Sequence, residues 1–234
     1  MKAQMILASA GVGNRLQSRE SKPFVMLRGR PLITFALQAA QASTELKSVI
    51  LVGHPSLLSR YEQICAEDHF DKVTKVIAGG KERCDSIYNG IQELDPDTDL
   101  VLIHDGARPF VTPEMIDRSL AACRDEEAVI AAVKIKPTIK KVDPESHYVR
   151  STVPRHDIWE IQTPQVFKRK IIEKAYQYWQ DHRESFIPTD DASLVENIGV
   201  PVKIFQGHYH NIKITTTEDM DIARALLDMR VTNK

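Results

Sequence analysis

The chain lacks any apolar run of the roughly 18 residues that a membrane-spanning helix needs. Its first residues, "MKAQMILASAG", hold an apolar stretch of about five residues, short of the ~7–15 of a secretory leader, and read as a first buried strand. An excess of one charge is lacking too: 31 Lys and Arg face 32 Asp and Glu, for a net charge of −1. A general nucleic-acid binder carries a basic excess, so nucleic acid is not an expected partner and any basic site must be local. Cysteine is scarce. Cys65, Cys84 and Cys123 are odd in number, far apart and without a CxxC pair, which argues against a disulfide framework or a thiolate zinc site. A cytoplasmic location follows from that usage, with the thiols as small core fillers. There is also no Gly-x-Ser-x-Gly elbow, so acyl transfer from a serine has no support.

What is present is alternation. Short β-branched runs at 4–9, 48–53, 72–79, 100–105 and 128–135 read as buried strands. Between them, 31–43, 56–68, 84–94 and 113–125 carry helical patterning, with Pro31 and Pro113 suited to first-turn positions. Such alternation predicts an α/β fold with a mostly parallel sheet, helices on both faces, and a ligand crevice at the carboxyl ends of the strands. From Lys136 the rhythm breaks into short strands and turns, with Asp143-Pro144 opening a hairpin connection. We expect one domain over 1–234 with a β-arm at about 136–166, too polar to build a core of its own. Helices follow at 168–180 and 190–199, strands at 202–207 and 211–216, and a closing helix at 217–230.

The chemistry gathers at strand ends. "SAGVGNR" (9–15) follows the first strand with Gly11 and Gly13, whose lack of side chains lets backbone N–H groups approach phosphate oxygens. Position 16 is leucine where a dinucleotide fingerprint has its third glycine, and no Gly-Lys-Ser/Thr of a P-loop follows. What remains is a phosphate loop that supplies cations, Arg15 and Lys22, or a tight turn without a ligand. "AGGKERCDS" (78–86) offers Gly80 and Ser86, and "HDGAR" (104–108) ends a strand in Asp105, Gly106 and Arg108. Arg155 and Thr163 lie in "TVPRHDIWEIQT", and Lys213 sits between Ile212 and Ile214, where alternation turns it away from its apolar neighbours. His104, before Asp105, reads as a satisfied core histidine.

The ordered set "SAGVGNR…SKPF", "GGKERCDSIYNG", "HDGARPFV", "TIK", "TVPR…W…QTPQ", "TDDASLVE" and "NIKITT…ED" resembles the 2-C-methyl-D-erythritol 4-phosphate cytidylyltransferases over nearly the whole chain. The resemblance implies a Rossmann-like nucleotidyltransferase fold, CTP as donor, Mg²⁺ or another divalent cation, and a homodimer joined by protruding β-arms. It places Arg15 and Lys22 on triphosphate-contacting positions, and Arg155 and Lys213 on residues that position the acceptor phosphate. Ser9, Ala10, Gly11, Gly13, Gly80 and Ser86 match nucleotide-holding loops. Asp105, Gly106, Arg108, Thr138 and Thr163 match positions around the sugar moieties. Ser9 stands where the family has alanine, and Pro23-Phe24 follow the lysine where glutamine is usual. Transfer to ribitol 5-phosphate, and a non-catalytic nucleotide-binding module, are the alternatives.

Overall fold

A computed structural model describes residues 1–11 and 20–232, with 230–232 given by backbone alone. Strand β1 (Ala3–Ser9) is followed by a 3-10 turn at Lys22–Phe24, the small antiparallel pair β2 (Met26–Leu27) and β3 (Arg30–Pro31), and helix α1 (Leu32–Ala42). Then come β4 (Leu46–Gly53), α2 (Leu58–Glu67), β5 (Val73–Ala78), α3 (Arg83–Gln92), β6 (Leu100–Asp105), α4 (Pro113–Ala122) and β7 (Ala128–Lys134). The chain continues through β8 (Ile139–Val142), β9 (Val149–Val153), β10 (Trp159–Lys168), α5 (Arg169–Asp181), α6 (Asp191–Asn197), β11 (Lys203–Gln206) and α7 (Thr217–Thr232).

Seven strands form the central sheet in the order β11-β7-β10-β6-β1-β4-β5. All neighbours pair in parallel except β10, which runs antiparallel to both β6 and β7. Side chains alternate across it. Met5, Leu7, Val49, Leu51 and Leu102 pack beneath α1, α2 and α4, while Ile6, Ile50, Val52, Val101 and Ile103 pack beneath α3, α5 and α6. Both faces are therefore covered, which is why these strands read as continuous apolar runs. A third, smaller cluster of Leu27, Leu32, Phe110, Ile214, Met220 and Ala223 seats α7 beside β2.

Two expectations are corrected. The arm is shorter than 136–166: β8 and β9 form their own two-stranded sheet, but β10 returns to the central sheet from Trp159 onward. Gln162, Thr163 and Gln165 are buried there and satisfied by hydrogen bonds, so their polarity marks internal partners and not exposure. The segment 211–216 is not a strand. Its polar groups are taken one at a time by neighbours: Asn211 Nδ2 donates to the Thr163 carbonyl at 2.8 Å, and the Ile214 N–H donates to the Ala107 carbonyl at 2.8 Å. No ladder is left to form.

Topology positions the crevice. From β1 the chain winds outward through β4 to β5, then returns to lay β6 on the other side of β1. Crossovers leave in opposite directions on either side of the β1–β6 junction, so the carboxyl ends of those strands, Ser9 and Asp105, border an open gap.

Candidate active site

A cavity of about 280 Å³ occupies that gap. Its floor is the end of β1 (Ala8, Ser9) with Ala10 and Gly11; one wall is Lys22 and Pro23, another runs from Gly80 to Arg83 with Ser86, and Asp105, Gly106, Ala107 and Lys213 close it. Nine residues expected from sequence meet here: Ser9, Ala10, Gly11, Lys22, Gly80, Ser86, Asp105, Gly106 and Lys213. Gly13 and Arg15 lie outside the described residues.

Local chemistry explains the walls. Phe24 and Pro23 are buried, and the Phe24 N–H donates to the Ser21 carbonyl at 2.9 Å, which leaves the half-buried Lys22 on the cavity side of a rigid turn. At the opposite wall, a Cβ on Gly79 would collide with the Ala10 Cβ, and one on Gly80 with the Asp85 Cβ. Gly79 thus lets the β5–α3 loop approach the β1 loop closely, and Gly80 lets the same loop fold against the first turn of α3. Ser86 Oγ accepts from the Gly80 N–H at 3.1 Å and donates to the Glu82 carbonyl at 3.1 Å. The first turn of α3 therefore borders the cavity; a capping box of Glu82 and Asp85 takes two of the N–H groups at that end, so the turn offers an anion the helix dipole and the N–H groups left over.

Electrostatics centre on Asp105. Its Oδ1 accepts from Arg83 Nε at 3.1 Å, its Oδ2 lies 2.7 Å from Lys213 Nζ, and Arg108 Nε stands 4.0 Å away. Burial alone would raise the Asp105 pKa, but the Arg83 and Lys213 charges outweigh it and hold the carboxyl well below the usual carboxylate range. Arg83 also donates from Nη2 to the fully buried Asp191 at 2.7 Å, and Asp191 accepts from Tyr176 at 2.6 Å. Burial works against the charge on Arg83, yet Asp191 and Asp105 keep it firmly protonated. Arg83 Nη1 is buried without a hydrogen-bond partner among the described residues. Arg83 carries no signal of its own in the sequence, since an arginine on a helix's first turn is ordinarily solvated. The acids at 105 and 191 that hold it lie far away in the chain.

The remaining expected residues lie elsewhere. Arg108 is buried and donates to the Asn211 and Ile161 carbonyls at 2.8 and 3.3 Å, so it braces the segment carrying Lys213 from beneath and is not on the cavity wall. Thr163 is buried as a relay: its Oγ1 accepts from the Asp105 N–H at 3.1 Å and bonds His104 Nδ1 at 2.9 Å. His104 Nε2 meets the Arg108 carbonyl at 3.2 Å, which requires the proton on Nε2. Burial lowers the His104 pKa to about 4, so the ring is neutral near pH 7, as a core histidine should be. Thr138 and Arg155 are exposed at the root of the hairpin, where Arg155 donates to the Lys136 carbonyl.

The 2-C-methyl-D-erythritol 4-phosphate cytidylyltransferase (IspD) family model matches residues 3–229. The chain is 40% identical to the 2-C-methyl-D-erythritol 4-phosphate cytidylyltransferase of Alkaliphilus metalliredigens, covering 98% of this chain and 94% of that one. It is also 40% identical to that of Geobacillus kaustophilus, over 99% of both. Among solved structures, the 4-diphosphocytidyl-2C-methyl-D-erythritol synthase of Anaerococcus prevotii superposes with a TM-score of 0.86 at 34% identity, over 97% of this chain and 96% of that one. The Thermus thermophilus enzyme gives 0.78 at 27% identity, over 97% and 100%. With a family match over nearly its full length and relatives at this identity, the chain belongs to the 2-C-methyl-D-erythritol 4-phosphate cytidylyltransferase family.

Proposed function

We propose that this chain transfers CMP from CTP to 2-C-methyl-D-erythritol 4-phosphate, forming 4-diphosphocytidyl-2-C-methyl-D-erythritol and pyrophosphate, a step of isoprenoid synthesis. The observation that carries the reading is the cavity at the β1–β6 junction. There glycine turns, the first turn of α3, and the ammonium groups of Lys22 and Lys213 share one space. In this reading Gly80 and Ser86 hold the cytidine side, and Ser9 to Gly13 with Arg15 and Lys22 hold the triphosphate. Asp105, Gly106, Arg108, Thr138 and Thr163 shape or support the sugar sites, and Arg155 and Lys213 position the acceptor.

The chemistry is an in-line displacement. An acceptor phosphate oxygen forms a bond to the α-phosphorus of CTP as the bond from that phosphorus to the bridging oxygen breaks, and pyrophosphate leaves with the electron pair. A phosphate monoester has a second pKa of about 6, so the nucleophile is already ionised and needs no base. The site is consistent with that economy. His104 has both nitrogens engaged, and Asp105 is clamped by Arg83 and Lys213, so neither is placed to accept a proton. Catalysis then rests on alignment and on cations that meet the growing charge on the phosphoryl oxygens.

The described residues do not build a metal cage. Among the described residues there is no cluster of three metal-ligating side chains, and the carboxylate of Asp105 already faces three cations. We therefore propose that Mg²⁺ enters as part of the nucleotide substrate and keeps most of its water. We further propose a homodimer, a single domain over 1–234 and a cytoplasmic location. Val142, Tyr148 and Val149 are exposed on the hairpin, and such an apolar patch on a two-stranded ribbon favours docking on a second copy. Cys65, Cys84 and Cys123 are free thiols, which suits a reducing compartment, and no helix among the described residues is long and apolar enough to cross a membrane.

The test is pyrophosphate release from CTP with 2-C-methyl-D-erythritol 4-phosphate and ribitol 5-phosphate run in parallel. Turnover with the first acceptor supports the reading. Preference for the second reassigns the acceptor, and turnover with neither leaves a binding module.

A further inference from the structure

Two consecutive residues of α2, neither of them on the cavity wall, grip the protein on both sides of the segment 12–19. Tyr61 is 1% exposed, and its hydroxyl donates to the Ser9 carbonyl at 2.7 Å and lies 3.1 Å from Ser9 Oγ. Space for its ring is built in: a Cβ on Gly53, the last residue of β4, would lie 2.5 Å from Tyr61 Cε2. The same ring packs against Phe24 with centroids 4.7 Å apart, and Phe24 ends the turn that begins at Lys22. Arg60 lies 4.1 Å from the Phe24 ring centroid and pairs with Glu20 at 2.5 Å. Ser9 is thus held from one end of Tyr61, and the Glu20–Phe24 stretch from the ring and from Arg60. Burial pushes the Tyr61 pKa up to about 12, so its hydroxyl keeps its proton and remains a donor near pH 7.

From these contacts we infer that Arg60 and Tyr61 are positioning residues, a clamp that fixes the spacing between Ser9 and Lys22 across the cavity and so pre-forms the nucleotide's phosphate site. The inference rests on the cytidylyltransferase reading and adds to it a determinant outside the cavity. Its physical content is pre-organisation: two aromatic rings and a stacked guanidinium cost little side-chain entropy at binding because packing has already fixed them. Serine at position 9 supplies an Oγ beside the tyrosine hydroxyl, so the pair is specific to a chain that has both residues.

The experiment uses the whole chain in two variants. Tyr61→Phe keeps the ring on Phe24 and removes only the hydroxyl. Arg60→Gln removes the stacked charge from a side chain that is 40% exposed, where folding is not at stake. CTP binding is measured by calorimetry, alongside steady-state turnover with both substrates. Losing one buried hydrogen bond is expected to weaken CTP binding and lower kcat/KM for CTP about tenfold in Tyr61→Phe. Arg60→Gln is expected to give about threefold in the same direction. The acceptor KM stays unchanged in both. CTP binding within twofold of the unaltered chain in both variants overturns the clamp. A fall that affects both substrates equally, with a lowered melting temperature, overturns it as well, since that is the mark of a merely structural role. Turnover by the unaltered chain reports on the reading itself, whereas the binding ratios report on the clamp, so the two failures are told apart.

Discussion

Asp105→Asn isolates the charge at the centre of the site while keeping its shape. In the folded protein the carboxylate is shared by Arg83 Nε at 3.1 Å and Lys213 Nζ at 2.7 Å, with Arg108 at 4.0 Å. Removing one partner of a buried ion pair costs about 3–5 kcal/mol, because the other charge stays buried without compensation. Here relief is partial. Lys213 is 39% exposed and can turn to water, and Arg83 retains Asp191. We therefore expect about 2–3 kcal/mol, the lower part of the range for truncated buried pairs. For a chain of this size that lowers Tm by roughly 4–12 °C. The pH dependence fixes the cause. The folded-state pKa of Asp105 is depressed below its unfolded value near 4, so its stabilisation is fully present above about pH 5 and is lost as pH falls toward the folded value. Urea unfolding of both proteins between pH 3 and 8 should show a stability gap that grows from pH 3 to 5 and is then flat. Equal stability, or a gap that keeps growing above pH 6, refutes the argument that this carboxylate is held ionised by its cationic neighbours.

Further outcomes follow from the same geometry. Lys22→Ala should lower kcat about 10²–10³-fold, the scale of a lost transition-state donor, with the melting temperature unchanged. Arg155→Ala should raise the acceptor KM and leave that of CTP alone, checked by steady-state kinetics in which each substrate is varied. Gly80→Ala should cost about 1–3 kcal/mol and weaken CTP binding, because the new Cβ collides with Asp85 and displaces the first turn of α3. Tyr148→Glu, at a side chain 79% exposed on the hairpin, should shift sedimentation from dimer to monomer without loss of secondary structure.

The parallel half of the sheet was legible because its strands are buried on both faces. Runs such as Leu100–Asp105 have no competing period, and the observed bounds match those read from sequence. That Gly11, Lys22, Gly80 and Lys213 border one cavity was legible for a related reason: strand ends are where polar residues must appear if a ligand is to be held. β10 was not, because its interior carries Gln162, Thr163, Pro164 and Gln165, which look like loop composition until their partners on α6, His104 and the 207–211 turn are seen. "NIKITT" failed in the opposite sense. Its alternation is real, with Ile214 buried and Lys213 facing the cavity, but strand pairing needs a free edge, and single bonds to Thr163 and Ala107 occupy it. Arg83 has no such signal, because its role depends on Asp105 and Asp191, which only the fold brings to one place.

Where a cytidine triphosphate sits decides the chemistry. A crystal structure of the chain with CTP should place the nucleotide in the cavity between β1, β6 and the start of α3. The phosphates should lie within ion-pair distance of Lys22, and the cytidine against Gly80 and Ser86. CTP bound outside that cavity, or within it but with Lys22 turned away from the phosphates, contradicts the account.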